Sequence, residues 1–93
     1  MKHVFSKPYE FEGVEYKEID APVEGLTGRD ISEVKKQFTD AGHYAAVPVV
    51  DYDYCTFLLA RVSKMPMEFF YGLPAQDYCA VCQKVGTFLM KSG

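Results

Sequence analysis

Tyr9-Glu10-Phe11-Glu12-Gly13-Val14-Glu15-Tyr16 is the stretch that decides the fold class. Apolar and charged residues alternate on both sides of Glu12-Gly13, which is the period of a half-buried strand. Glycine takes the positive φ of a tight turn without steric cost. The pattern predicts a hairpin over about residues 8–20, with Tyr9, Phe11, Val14 and Tyr16 on one face and charge on the other. Ile19 falls out of phase with Tyr16, so the second strand is expected to bulge or end there, and Pro22 favours an end. A two-stranded hairpin is marginal alone, so its apolar face must pack on the rest of the chain.

Downstream the period changes to that of helices. Thr27-Gly28-Arg29-Asp30 opens the first one, with Thr27 as N-cap and Asp30 at the positive end of the dipole. Ile31, Val34, Phe38 and Ala41 follow at helical spacing, and Gly42 is a natural stop. Glu33, Lys36, Gln37 and Asp40 form its wet face. His43 to Val50, with Pro48, is expected to be an extended connection. A second helix begins near Asp51, or at Asp53 as cap, and runs to about Lys64; its centre, Phe57-Leu58-Leu59-Ala60, is apolar nearly all round and predicts deep burial. Pro66 suits the start of a short helix, Met67 to Tyr71, ended by Gly72. Pro74 opens the last helix, with Tyr78, Val81, Cys82, Val85, Phe88 and Leu89 on one stripe, and Gly86 is expected at a close helix contact. The fold class is α+β and mostly helical: an N-terminal β-hairpin followed by three to four helices. The helical part covers about residues 27–91 of a single domain, 1–93.

Composition bounds the function. An apolar fraction of 48% and a charged fraction of 25% belong to a globular chain rather than a disordered one. A net charge of −3 with scattered basic residues argues against nucleic acid as partner, since duplex binding relies on clustered Lys and Arg. Between Tyr9 and Glu24 the acids Glu10, Glu12, Glu15, Glu18, Asp20 and Glu24 stand against Lys17 alone. That segment is either a solvated hairpin face or a patch for a basic partner. Met1-Lys2-His3-Val4-Phe5 has no signal-peptide core, and no run of about 18 apolar residues suggests a membrane span, so a cytoplasmic chain without membrane contact is expected. Three cysteines, an odd number, fit a reducing compartment.

No motif announces an enzyme. Cys79-Ala80-Val81-Cys82 has the spacing of a redox pair or half a zinc site. It lies well inside its helix, away from the N-terminus that lowers a thiol pKa, so packing is the expected role. Asp51 and Asp53 are two apart, cannot share a helix face, and fit helix capping. His43 has no nucleophile or acid at a recognisable spacing, and Gly25-Leu26-Thr27-Gly28 lacks the ending of a phosphate loop. Neither a cofactor nor a metal site is expected. Met65, Met67, Phe69, Phe70 and Tyr71 crowd a short helix that cannot bury them all on one face. They either cap the small core or line a partner groove, for which methionine and aromatic side chains are well suited.

The order of these parts resembles the tail assembly chaperone family of long-tailed bacteriophages, of the Mu-like type. The resemblance runs from about Tyr9 to Leu89. It rests on a short aromatic hairpin ending in Tyr16-Lys17-Glu18-Ile19, then Leu26-Thr27-Gly28-Arg29-Asp30, an apolar helix, Met65-Pro66-Met67-Glu68, and Leu73-Pro74-Ala75-Gln76-Asp77-Tyr78 before the closing helix. The cysteines and the run Phe69-Phe70-Tyr71 depart from the family pattern. The resemblance implies a non-enzymatic protein of the host cytoplasm. It would bind the tape measure protein, keep that long helical chain soluble until tail tube protein polymerises around it, and be absent from the virion. It also implies self-association. Met65, Met67, Phe69, Phe70 and Tyr71 are then the expected partner surface, with the hairpin tyrosines second. The competing readings are a small structural or head–tail connector protein of a phage, and a small metal or redox domain built on Cys79 and Cys82.

Overall fold

The hairpin forms, and it is longer than the alternation indicated. In the computed structural model, which describes residues 1–91, β1 (Lys2–Phe11) pairs antiparallel with β2 (Val14–Asp20). The last two residues of the expected domain lie outside the described residues. Glu12 and Gly13 form the turn, both with positive φ (51° and 79°), and Phe11 pairs with Val14 across it. That is the turn whose twist matches a hairpin.

The ladder is broken in the middle. Val4 pairs with Glu18 and Tyr9 pairs with Tyr16, so Phe5–Pro8 lies opposite Lys17 alone. The irregularity expected in the second strand therefore sits in the first, and β2 runs on to Asp20. The extra residues in β1 absorb the phase slip, so that Tyr16 and the out-of-phase Ile19 both reach the core. Pro8, which cannot donate to a ladder, stands in the interrupted stretch.

Four helices follow: α1 (Gly28–Asp40), α2 (Tyr52–Ser63), α3 (Met67–Tyr71) and α4 (Ala75–Met90), with 3-10 turns at Val23–Gly25 and Pro48–Val50. The first helix begins on a full capping box. Asp30 N–H donates to Thr27 Oγ1, and Thr27 N–H donates to Asp30 Oδ2. It ends where Gly42 takes φ 91°, with Gly42 N–H donating to Thr39 and His43 N–H to Phe38. That pair of bonds is the Schellman closure that glycine permits. Asp51 caps α2 by accepting from Tyr54 N–H. Asp53 is not a cap: it accepts the Tyr71 hydroxyl from α3 at 2.9 Å. The stretch before α2 closes into the 3-10 turn at Pro48 rather than staying extended throughout.

The core is shared by every element. Val34 and Phe38 of α1, Tyr54, Cys55, Leu58 and Leu59 of α2, Phe69 and Phe70 of α3, and Val81, Cys82 and Val85 of α4 are all buried. Phe5, Ile19, Ala21 and Val23 close it from the hairpin side. Arg61, in the last turn of α2, reaches both Asp30 and Glu33 of α1 and ties the two helices together at their wet edge. Among the described residues, no helix is long and apolar enough to cross a membrane.

Candidate functional site

The short helix α3 does not present the surface its composition suggested. Phe69 and Phe70 have no solvent exposure. The hairpin's distal half lies on top of them: Tyr9, Phe11 and Tyr16 set their rings edge-on to Phe69 at centroid distances of 5.2, 5.3 and 5.0 Å. The Tyr9 hydroxyl also donates to the Phe69 carbonyl at 2.9 Å. Met65 is half-buried against the core, and Met67 lines a shallow groove beside Phe57 and Arg61. Tyr71 alone of the five is well exposed, and its hydroxyl is engaged by Asp53. Burial pushes the Tyr71 phenol up, and the neighbouring Asp53 carboxylate adds to that. In this conformation Phe69 and Phe70 are core residues, because an aromatic hairpin needs an aromatic helix to pack on. Phe70→Asp would place an unpaired carboxylate in the core and destabilise the fold.

A buried polar cluster that sequence reasoning did not single out joins the two ends of the chain. Asp77, in the first turn of α4, is 3% exposed. Its Oδ1 accepts from Ser6 N–H at 3.1 Å and faces His3 Nε2 at 3.1 Å, while its Oδ2 accepts the Ser6 hydroxyl at 2.9 Å. Lys84 Nζ, about two helical turns further along α4, sits 2.8 Å from His3 Nδ1. An ammonium only donates, so Nδ1 accepts and the Nε2–H donates to Asp77. Burial works to raise the Asp77 carboxyl, but the bonds from His3 and Ser6 outweigh it and hold the group below its usual range. The residue types are those of a hydrolase triad, yet the connectivity is different. The Ser6 hydroxyl points at the carboxylate and not at the imidazole, so the base that a nucleophilic serine needs is turned away from it. The cluster is a clasp between β1 and α4. One signal for it was present: Asp77 is in phase with Val81 and Val85, the buried stripe of its own helix.

The cysteines are placed for packing. All three are thiols. Burial pushes the Cys55 thiol up to about 12 and the Cys82 thiol up to about 11. A redox pair needs the opposite shift. Among the described residues no group of three or more His, Cys, Asp or Glu is arranged to hold a metal. His43 stacks on Phe38 at 5.0 Å and meets Phe57 edge-on. It serves as an aromatic lid on α1 and α2.

What remains open is a face along α4. A groove of about 380 Å³ lies between the C-terminal half of α4 and the 3-10 turn before α2; Val50, Tyr52, Cys82, Gly86 and Met90 line it together with the polar Gln83 and Thr87, and Gln83 Nε2 donates to the Tyr52 hydroxyl at 2.9 Å. Val50 and Met90 are 57% and 56% exposed. Val47 and Phe88 are also exposed nearby in the sequence, and Gly86, buried in α4, forms part of the groove wall. Comparisons with family models, curated proteins and solved structures find no match to this chain. The site is therefore argued from its own chemistry: a shallow apolar groove with a flexible methionine at one end, a tyrosine in its wall, and no charged side chain among its lining residues.

Proposed function

We propose that this chain is a phage tail assembly chaperone that binds the tape measure protein, keeps it soluble during assembly and leaves before the virion is complete. The observation that carries the reading is the open apolar groove beside α4, bordered by Val50, Tyr52 and Met90. Such a groove suits the apolar stripe of an amphipathic helix, and methionine adapts to varied partners. The resemblance in the order of short motifs from Tyr9 to Leu89 supports the family reading, and two of them have physical roles in the fold. Leu26–Asp30 holds the capping box, and Leu73–Tyr78 holds the buried Asp77. The partner surface open in this conformation is the α4 groove, because Phe69 and Phe70 of the Met65–Tyr71 segment are buried.

The test is co-expression with the tape measure protein of the same phage. Soluble, co-purifying client is the expected result. Client that stays insoluble beside a folded chain would remove the proposal. Mass spectrometry of purified virions then separates a chaperone, absent from the particle, from a head–tail connector that remains in it.

A further inference from the structure

The two halves of the hairpin are held by different means. The proximal half, Lys2–Val4 with Glu18–Asp20, is pinned by polar contacts. Lys2 pairs with Glu18 at 2.8 Å, and Ala21 N–H donates to the Met1 carbonyl at 2.7 Å. His3 and Ser6 bind the buried Asp77 of α4. Each half has three rungs, and those of the distal half, Tyr9–Tyr16, are Tyr9↔Tyr16, Glu10↔Glu15 and Phe11↔Val14. One rung sets two exposed carboxylates directly opposite each other, a repulsive cross-strand pair. The turn puts Glu12, a residue with a Cβ, at φ 51°. Toward the body, this half is held by rings on Phe69 and by one hydrogen bond from Tyr9. The halves are joined through exposed Lys7 and Pro8 on one strand and exposed Lys17 on the other, where the ladder is interrupted.

We infer that residues 9–16 form a hinged flap. It opens about Lys7-Pro8 and Lys17 while the proximal half and the helical body stay folded. Opening uncovers Phe69, which is otherwise inaccessible, and turns Tyr9, Phe11 and Tyr16 to solvent. The result is a continuous aromatic surface made from hairpin and α3. Resting on the chaperone reading above, that opened surface is a second contact for the client helix, additional to the α4 groove, and the closed flap keeps it from aggregating when no client is present. The composition of α3 then has a reason: its aromatic residues serve as core when the flap is closed and as contact surface when it is open.

Two substitutions push the flap in opposite directions. A Cβ at Gly72 would stand 2.5 Å from the Tyr9 hydroxyl oxygen, so Gly72→Ala displaces the far end of that side chain and loosens the flap. Glu15→Lys puts a cation opposite Glu10 and tightens it. Hydrogen exchange of the full chain, read amide by amide, tests this without a client. In the parent protein, amides in 9–16 are expected to exchange at least about tenfold faster than those in 2–4 and 18–20. Gly72→Ala should raise the distal rates several-fold and Glu15→Lys should lower them, with proximal amides unchanged in both. Exchange of both halves at one common rate, or an equal shift of both in either variant, overturns the flap. Co-expression with the tape measure protein then reads its use: Gly72→Ala should recover more soluble client than Glu15→Lys. Equal recovery by the two, with the exchange difference present, would leave the flap standing and remove its role in client capture. No recovery by the parent protein would remove the chaperone reading instead.

Discussion

Asp77 shows what one residue contributes here. Its carboxylate accepts twice from Ser6 and once from His3; Asp77 and His3 are buried whereas Ser6 is exposed, so removing the acid strands the buried imidazole while the Ser6 donors can turn to water. Asp77→Ala should cost about 1–3 kcal/mol in urea unfolding, the range for one buried donor left without its charged acceptor. The pH dependence follows from the depressed carboxyl. A carboxyl whose folded value lies below its unfolded value of about 3.9 stabilises the fold above that pH and loses the contribution as pH falls through the folded value. In an acid titration followed by circular dichroism, the parent protein should therefore lose stability more steeply below about pH 4 than Asp77→Asn does. The thiols give an independent check. With Cys55 and Cys82 buried and pushed up to about 12 and about 11, only half-buried Cys79 should react promptly with Ellman's reagent at pH 8, and all three should react in denaturant. Packing was expected of Cys79 and Cys82 from their depth in the last helix, and of the two Cys82 is buried and Cys79 half-buried. The Asp77 clasp was only half legible. Phase put the acid on the buried stripe, but its partner His3 lies 74 residues away, and no local pattern encodes that meeting.

At the scale of elements, local chemistry wrote itself into the sequence and tertiary pairing did not. Thr27 and Asp30 announced the start of α1, Gly42 its end, and the reciprocal cap and the Schellman closure form at those positions. Thr27→Ala should lower the unfolding free energy by about 1 kcal/mol, the usual worth of such a cap, without changing the slope of a urea transition. Asp30→Ala should cost more, because that carboxylate also accepts from Arg61 of α2 at 3.0 Å. The strands were harder. Alternation near the turn was clean, so the hairpin and its Glu12-Gly13 corner were readable. The stretch Lys2–Phe5 alternates through a histidine that only a distant carboxylate makes comfortable indoors, so the first half of β1 was not readable. The misplaced bulge has the same origin. An out-of-phase Ile19 showed that some residues were extra, but only the partner strand decides which side carries them.

The whole molecule explains why the surface read from composition is not the surface found. A chain of 93 residues has little apolar material to spare, and the hairpin's aromatic face and the aromatic helix α3 meet each other first. Dense aromatic sequence therefore marked the core, while the open groove is assembled from residues far apart in the chain, Val50 and Tyr52 on one wall and Gly86 and Met90 on the other. No stretch of sequence contains that groove, so reading along the chain could not find it. Its exposure also makes it separable from stability. Val50 and Met90 keep more than half of their surface in water, so charging them costs the fold little. The double variant Val50→Glu, Met90→Glu should change stability by no more than about 0.5 kcal/mol per site. If an apolar client helix lies in this groove, the same variant should lose most of the soluble tape measure protein recovered on co-expression, because two carboxylates would then be desolvated against an apolar stripe. A folded double variant that recovers as much client as the parent protein would move the contact to the aromatic face under the flap, the second apolar surface this fold can offer.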